Sequence, residues 1–286
     1  MGDGPVLENV TEGDDIDVTK FPAPQWNPDD GGRYIGTGCF IISRDPENGW
    51  INCGTYRVMV HDEKRVGLYI SPGKHGRIHR DKYMAKGEPM PVCIVVGSDP
   101  LSFLTSSTEA PEGMCELDMM GAYRGHAIEC VTGKHTGLPF PAKSEVVIEG
   151  FIHPGNTAPE GPFGEIPGTY AEATQSHVFR VNCMTRRKDP IFYAVHCGYP
   201  TTDTQGTMAL GIEIATKEQL RNVEGGLDLL DVRCHPSAGM MMVVLKIRPR
   251  VEGQAKTALM AALSGAYLHP KLAIAVDDDI DANDLR

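Results

Sequence analysis

A chain of 286 residues can form one large domain or two ordinary ones, and a composition of 41% hydrophobic and 23% charged residues is typical of globular proteins. Thirty-eight acidic against 27 basic residues give a net charge of −11, which repels a phosphate backbone and argues against a nucleic-acid partner. The sequence has no run of 18 apolar residues, no apolar leader after Met1 and no CxxC pair among its eight cysteines, which together favour a cytoplasmic protein with reduced thiols and no membrane partner.

The predicted elements begin with a polar, proline-rich segment, residues 1–32, which we expect to form an extended arm packed on another part of the protein. From Gly38 onward, three strand-forming runs follow one another: CFIIS, WINCGTYRVMV and VGLYIS. A fourth run, PVCIVVGS, is apolar throughout, as in a strand buried on both faces. Asp99 and Pro100 then predict the start of a short helix, and Glu116 begins another.

Further strand-forming runs are HAIECV, SEVVIEGFI, SHVFRVNCMT and PIFYAVHC. About eight strands at this close spacing indicate a closed or partly open barrel rather than alternating βαβ units. After Thr202, two helical patterns and the strands MMMVVLKIRP and KLAIAV predict a β-α-β tail. We therefore predict an α+β protein with an arm (1–32), a barrel domain (33–225) and a C-terminal α/β domain (226–286). An acidic run directly after KLAIAV, where a covering element is expected, predicts that the chain is a fragment.

Two segments and the acidic residue Glu116 hold polar side chains that could carry chemistry. Asn52 and Arg57 lie in NCGTYR, on opposite faces of a strand unless it bends, which Gly54 permits. The segment SPGKHGRIHRDK places six basic side chains and two glycines after a strand, a composition suited to phosphate. Each pattern also has an ordinary explanation: a bulge with a solvent-facing Arg, a solvated basic loop, and, for Glu116, a favourable acid in a first helical turn.

The segment EGPFGE places Glu160 and Glu165 on either side of a Pro-Phe-Gly turn, so both carboxylates can face one cavity. Beside a buried arginine, one carboxylate would stay ionised, and the pKa of the other could rise enough for a general acid. Glutamates in such loops are otherwise surface residues. No site is predicted from five histidines on separate segments without HxH or HxxxH spacing: His126, His135, His153, His177 and His235.

Three stretches in this order resemble the UbiD family: the one from GRYIGTGCF to RIHRDKY, then TGLPFPAKSEVVIEG, then PEGPFGE. Its members are decarboxylases that use prenylated FMN and include ferulic acid decarboxylase. The resemblance, which runs from Val6 to Asp281, implies a flavin-binding split β-barrel followed by a partial α/β oligomerisation domain. It implies reversible decarboxylation of an aromatic or α,β-unsaturated acid, a flavin prenyltransferase that supplies the cofactor, and a homo-oligomeric full-length protein, of which both ends are lacking here.

The resemblance also implies roles for three residues. By position, the family's catalytic Arg and two Glu correspond to Arg57, Glu160 and Glu165. Arg57 would hold the substrate carboxylate, Glu160 would keep Arg57 in place, and Glu165 would protonate the carbon from which carbon dioxide has left.

A divalent metal, usually Mn²⁺ and otherwise Mg²⁺, is implied to join the cofactor phosphate to Asn52, His75 and Glu116, with His79 as the alternative to His75. One imidazole and hard oxygen ligands suit these metals. K⁺ is a further implied ion. The residues implied to contact the cofactor are Asn52, Gly54, Thr55, Tyr56, Arg57, Lys74, His75, Ser106 and Ser107.

Two other functions are compatible with the sequence. The split barrel is shared with FMN-binding oxidoreductases, which would reduce plain FMN with a nicotinamide and would not need Glu160 or Glu165. A non-catalytic fragment or subunit would bind cofactor or a partner without turnover.

Overall fold

The computed structural model describes residues 3–108, 110–221, 223, 226–265 and 270–284. The chain divides into two compact units. The first comprises Met1–Phe163 and Ala171–His196, and the second comprises Gly164–Tyr170 and Cys197–Arg286. The domain boundary predicted near residue 225 lies outside the described residues. In the described ranges, no helix combines the length and apolar character needed to cross a membrane.

The strands up to residue 186 are β1 Asn9–Glu12, β2 Tyr34–Gly36, β3 Cys39–Arg44, β4 Ile51–Gly54, β5 Arg57–Asp62, β6 Arg65–Tyr69, β7 Met90–Val96, β8 Cys130–Thr132, β9 Pro139–Pro141, β10 Val146–Glu160, β11 Phe163–Gly164, β12 Tyr170–Ala171 and β13 Thr174–Arg186. The α-helices in this part are α1 His75–Lys86, α2 Pro100–Ser106 and α3 Glu116–Arg124, and the 3-10 turns are Pro5–Leu7, Gly13–Asp15 and Val18–Lys20.

The main sheet has the strand order β2-β5-β6-β13-β10-β7-β3-β4, and β1 pairs with β13 beside this path. Its pairs are antiparallel wherever their register is described. The sheet curls into an open half-barrel. The predicted α+β class with a split barrel is therefore confirmed.

The continuous apolar runs follow from burial of both faces of this sheet. Phe40 and Ile42 pack with Val95 in one hydrophobic cluster, whereas Ile41 packs with Ile94 in another. Successive side chains of a strand point to opposite faces, so a strand buried on both sides has no polar alternation.

The N-terminal arm packs on the first unit. Its β1 lies antiparallel to β13, with Glu12 opposite Cys183. Val6 and Val18, which flank β1, are fully buried. A segment without periodic apolar residues is thus held by a few anchors and a strand pairing.

Helix α2 begins as predicted, with Asp99 as its cap and Pro100 at its first position; the Asp99 Oδ1 accepts a hydrogen bond from the Leu101 N–H at 2.8 Å. The basic segment SPGKHGRIHRDK, for which a solvated loop was the ordinary explanation, forms the start of α1 from His75 onward. That helix buries Gly76, His79, Arg80 and Tyr83, a stripe with helical spacing. The stripe is almost without apolar residues, so the usual hydrophobic periodicity does not reveal it.

The run PIFYAVHC, residues 190–197, was predicted as a strand and forms none. Its aromatic side chains anchor it instead. Phe192 stacks on Phe21 with ring centroids 6.0 Å apart, and Tyr193 meets Phe103 edge to face at 5.6 Å. Residue types that favour strands, such as Phe and Tyr, therefore serve here to pack rings rather than to form a strand.

The second unit contains α4 Asp203–Arg221, β14 Asp228–Cys234, a 3-10 turn at Pro236–Ala238, β15 Met242–Arg248, α5 Gln254–Leu263 and β16 Leu272–Val276. Its sheet has the order β14-β15-β16, with β15 and β16 parallel and joined through α5. This confirms the predicted β-α-β tail. Strand β14 was not predicted because Asp228, Asp231 and Arg233 interrupt its apolar pattern.

Candidate active site

The site is built around an ion pair between the start of β5 and the end of β10. Arg57 Nε donates to Glu160 Oε1 at 2.8 Å, and Nη2 donates to Oε2 at 2.6 Å. Glu160 is fully buried, and Arg57 is 9% exposed. A two-point, charge-assisted contact of this kind fixes the plane of the guanidinium as well as its position.

Aromatic rings enclose the pair. The Arg57 guanidinium carbon lies 4.2 Å from the centre of the Tyr69 ring and 5.0 Å from that of Phe163. The Tyr34 hydroxyl donates to Glu160 Oε1 at 3.1 Å. Burial, followed by the Glu160 charge, holds the pKa of Tyr34 well above its usual range, so the phenol remains a donor. Sequence reasoning missed all three rings, since nothing in their spacing distinguishes them from ordinary core aromatics.

The turn after Glu160 depends on two glycines. Gly161 has a φ of 87°, a left-handed conformation that favours glycine. A side chain on Gly31 would collide with the Gly161 carbonyl oxygen, and the Gly31 N–H donates to Pro162 O at 2.8 Å. Gly161 and Pro162 are therefore held against Gly31, and Glu160 is buried in the core.

Glu165 belongs to the second unit, whereas Arg57 and Glu160 belong to the first. Its main chain makes a turn, in which the Glu165 N–H donates to Thr169 O at 2.8 Å. Buried Gln205 donates from Nε2 to Ile166 O at 2.9 Å and so holds the residue that follows Glu165. Sequence reasoning did not find Gln205. The catalytic roles of Arg57, Glu160 and Glu165, and their meeting at one site, stay predictions.

The three segments that carry the predicted metal ligands are joined by two hydrogen-bonded links. Glu116 Oε2 accepts from the Cys53 N–H at 2.7 Å, directly beside Asn52. The Tyr56 hydroxyl accepts from Asn52 Nδ2 at 3.3 Å and from the Gly76 N–H at 3.1 Å. Asn52 and Glu116 are each 2% exposed. Through Tyr56, the main chain beside His75 therefore lies near Asn52.

His75 and His79 differ in their surroundings, and the choice of His75 as the third ligand stays a prediction. His75 is the first residue of α1, half-buried, with its ring edge against Trp50 at 4.7 Å. His79 is fully buried, and its Nδ1 lies 3.0 Å from Ser43 Oγ. Its Nε2 lies 3.9 Å from Asp45 Oδ2, and burial lowers the pKa of His79 to about 4. These contacts give His79 a packing role in the core.

The donor set fits a hard divalent cation. Burial raises the pKa of Glu116, because a carboxylate in an apolar interior lacks compensating charge. A bound divalent ion would supply that charge. One amide oxygen, one carboxylate and one imidazole match the preferences of Mn²⁺ and Mg²⁺ better than those of zinc.

The N-terminus of α1 fits a phosphate. Lys74 is its N-cap residue, and the first turn contains no acidic residue. A helix N-terminus offers backbone N–H groups and the positive end of its dipole to an anion, and a lysine beside it adds to this preference. A side chain at Gly54 would overlap the Tyr56 hydroxyl, and one at Gly76 would lie 2.6 Å from Tyr56 Cε2. Glycines at both positions therefore let Tyr56 reach Asn52.

The remaining predicted cofactor contacts lie at the end of α2. The Thr55 N–H donates to Ser106 O at 3.2 Å, which ties the break between β4 and β5 to this helix. Ser106 Oγ donates to Phe103 O at 3.0 Å, and Ser107 Oγ donates to Leu104 O at 2.8 Å. Both hydroxyl groups thus give their hydrogens to their own helix. Their contact with a cofactor stays a prediction.

Sequence profiles of two domains match the chain. The 3-octaprenyl-4-hydroxybenzoate carboxy-lyase Rift-related domain matches residues 1–200, and the C-terminal domain of the same carboxy-lyase matches residues 206–286. The chain belongs to the UbiD family. Eighty-six chains of solved structures resemble this UbiD-family chain, and three are described here.

An evolved dimeric form of the UbiD-class enzyme HmfF from Pelotomaculum thermopropionicum, in complex with prenylated FMN, is 30% identical with a TM-score of 0.89, and the match covers 98% of this chain and 64% of that one. The vanillic acid decarboxylase of Sedimentibacter hydroxybenzoicus in open form is 31% identical with a TM-score of 0.86, covering 98% and 59%. The 3,4-dihydroxybenzoic acid decarboxylase of Klebsiella pneumoniae is 28% identical with a TM-score of 0.89, covering 98% and 60%. The chain thus spans less than two thirds of each.

Proposed function

We propose that this UbiD-family chain carries the cofactor and catalytic region of a prenylated-FMN-dependent carboxy-lyase. The reaction is the reversible, non-oxidative decarboxylation of an aromatic or α,β-unsaturated acid. Relatives that decarboxylate vanillic acid and 3,4-dihydroxybenzoic acid support hydroxylated benzoic acids as the first substrates to test.

The observation that carries the proposal is the buried contact between Arg57 and Glu160. A buried arginine clamped by a carboxylate and two rings has lost most of its freedom before any substrate binds. A preorganised cation of this kind suits the binding of a substrate carboxylate. An oxidoreductase that transfers hydride to plain FMN has no need of it.

Each residue then has one task. Arg57 binds and orients the substrate carboxylate, and Glu160 with Tyr34 keeps the guanidinium in place. Glu165 donates a proton to the carbon that has lost carbon dioxide. Prenylated FMN, when bound, supplies an electron sink for the electron pair left by carbon dioxide. Asn52, with His75 and Glu116, would hold Mn²⁺ or Mg²⁺ against the cofactor phosphate.

The wider setting is part of the same proposal. A flavin prenyltransferase supplies the cofactor, K⁺ is a further ion, and the full-length protein is a homo-oligomer. A cytoplasmic location is supported by the eight cysteines, none of which is in a disulfide.

The decisive experiment is isotope exchange on the cofactor-loaded protein. The chain is co-expressed with a flavin prenyltransferase and purified with Mn²⁺, and the bound flavin is identified by mass. Exchange of labelled carbon dioxide is then measured on vanillic, 3,4-dihydroxybenzoic and cinnamic acids. Glu165→Gln is compared with Glu172→Gln, a change at an exposed glutamate of the same stretch.

We expect prenylated FMN in all three proteins and exchange in the wild type and Glu172→Gln. The exchange rate of Glu165→Gln should be at least about 100-fold lower than that of the wild type, which is the usual scale of general acid catalysis. Bound plain FMN with nicotinamide-dependent reduction would refute the proposal in favour of an oxidoreductase. Prenylated FMN without exchange in the wild type would favour a non-catalytic fragment.

A further inference from the structure

A second group of ligand-type side chains lies outside the residues assigned above. Glu12, His135 and Cys183 each place one potential ligand atom within 4.8 Å of the others. They come from β1, from the turn between β8 and β9, and from β13. Glu12 and Cys183 face each other across the β1–β13 pairing, and His135 Nε2 lies 2.6 Å from Glu12 Oε1. Three separate segments thus converge on one point.

The turn that carries His135 is fixed by a buried carboxylate. Glu149, only 1% exposed, accepts hydrogen bonds from the N–H groups of Lys134 at 3.2 Å, His135 at 3.2 Å and Thr136 at 3.1 Å. It lies opposite Cys183 in the β10–β13 pairing. The main chain of His135 is therefore held relative to the sheet that carries Cys183.

We propose that Glu12, His135 and Cys183 bind a divalent cation of the zinc class. A thiolate, an imidazole and a carboxylate are the ligands that zinc takes in proteins, and three protein ligands leave a fourth position for water. With the cation at +2 and the thiolate and carboxylate at −1 each, the filled site is neutral. Lys134 Nζ donates to Glu12 Oε2 at 2.8 Å and so orients the carboxylate from behind.

Binding follows a balanced proton exchange. Cys183 is 1% exposed, and a thiolate buried to this degree needs a cation beside it. The thiol proton passes to solvent as the sulfur–metal bond forms. The cation takes the place of the hydrogen between His135 Nε2 and Glu12 Oε1, and that proton moves to Nδ1, or to solvent where Nδ1 already carries one.

The site would fasten the N-terminal arm to the half-barrel. Glu12 ends β1, the strand of the arm that pairs with β13. The arm has few apolar anchors, so a metal bridge from its end to Cys183 and His135 would strengthen the contacts that Lys134 and His135 already make with Glu12.

Cobalt(II) is the probe, because a cysteine thiolate bound to it gives a charge-transfer absorption band that oxygen and nitrogen ligands do not give. The full chain is first saturated with Mn²⁺, which suits the Asn52 site, and then titrated with Co²⁺ and back-titrated with Zn²⁺. The variants are Cys183→Ser and His135→Gln. Cys115→Ser is the matched control, since Cys115 neighbours Glu116.

We expect the band to appear with one equivalent of Co²⁺ and to disappear as Zn²⁺ is added. Cys183→Ser should lose it, and His135→Gln should weaken Co²⁺ binding at least about 10-fold. Cys115→Ser should leave both unchanged. The His135 side chain is 31% exposed, so His135→Gln keeps the fold, which its circular dichroism checks. Absence of the band in the wild type, or a band with unchanged affinity in His135→Gln, would overturn the proposal.

Discussion

Replacing Glu160 by Gln tests the central contact with almost no change in shape. Gln keeps one oxygen, which can still accept from Arg57 Nε and the Tyr34 hydroxyl. Its amide nitrogen replaces the oxygen that lies 2.6 Å from Arg57 Nη2, so a donor would face a donor. The arginine also remains charged in an interior that no longer compensates it.

The expected loss of stability can be estimated from these contacts. One charge-assisted hydrogen bond is worth about 1.5–3 kcal/mol, and an unpaired buried charge brings the loss toward about 3–5 kcal/mol. Because Gln retains one acceptor, we expect the free energy of unfolding to fall by about 3 kcal/mol. For a unit of this size the corresponding fall in Tm is about 6–12 °C.

Urea unfolding of the cofactor-free chain measures the change directly. Glu129→Gln is the control, because Glu129 and Lys143 form an exposed pair at 3.0 Å and we expect no measurable change there. The double variant Arg57→Met with Glu160→Gln should be less destabilised than the sum of its parts. The reasoning would be refuted if Glu160→Gln were as stable as Glu129→Gln, or if the two changes were additive.

Two further changes test the metal side and the core of α1. Tyr56→Phe removes the acceptor shared by Asn52 and Gly76, so we expect the free energy of unfolding in urea to fall by about 1–2 kcal/mol. Mn²⁺ binding, measured by electron paramagnetic resonance, should also weaken. Unchanged Mn²⁺ affinity would contradict a metal site at Asn52. Since the pKa of His79 falls from 6.5 to about 4 on folding, the unfolded chain binds a proton between these values that the folded chain does not. Stability should therefore fall as pH falls through this range, by at most about 3 kcal/mol. His79→Gln should flatten the curve of stability against pH, and His126→Gln, at an exposed site, should leave its slope unchanged.

The sequence predicts those elements whose cause is a local pattern, and it does not predict those that depend on residues far apart in the chain. Apolar runs such as PVCIVVGS predict a doubly buried strand because the pattern and its cause are both local. Helix α1 was missed because its buried stripe includes the polar residues His79 and Arg80, and the partner of His79 is Ser43, far along the chain. Tyr34 likewise approaches Glu160 only through folding. Residues of this kind carry no local signal.

A break between two strands, in the segment NCGTYR, lies between the predicted metal ligand Asn52 and the substrate-binding residue Arg57 of the proposed site. In NCGTYR, β4 ends at Gly54 and β5 begins at Arg57, with two residues between them. An uninterrupted strand would send Asn52 and Arg57 to opposite faces. At the break, the Thr55 N–H is tied to Ser106 O, and the Tyr56 hydroxyl is tied to Asn52.

The segment therefore fixes the predicted metal ligand and the clamped arginine on one stretch of backbone. A displacement of Tyr56 would disturb Asn52 directly and Arg57 through the next peptide bond. In the proposed site, these six adjacent residues would supply both an oxygen ligand and a carboxylate-binding cation: the metal would position the cofactor phosphate, and Arg57 would position the substrate. Their separation is then set by the chain itself, before either ligand binds.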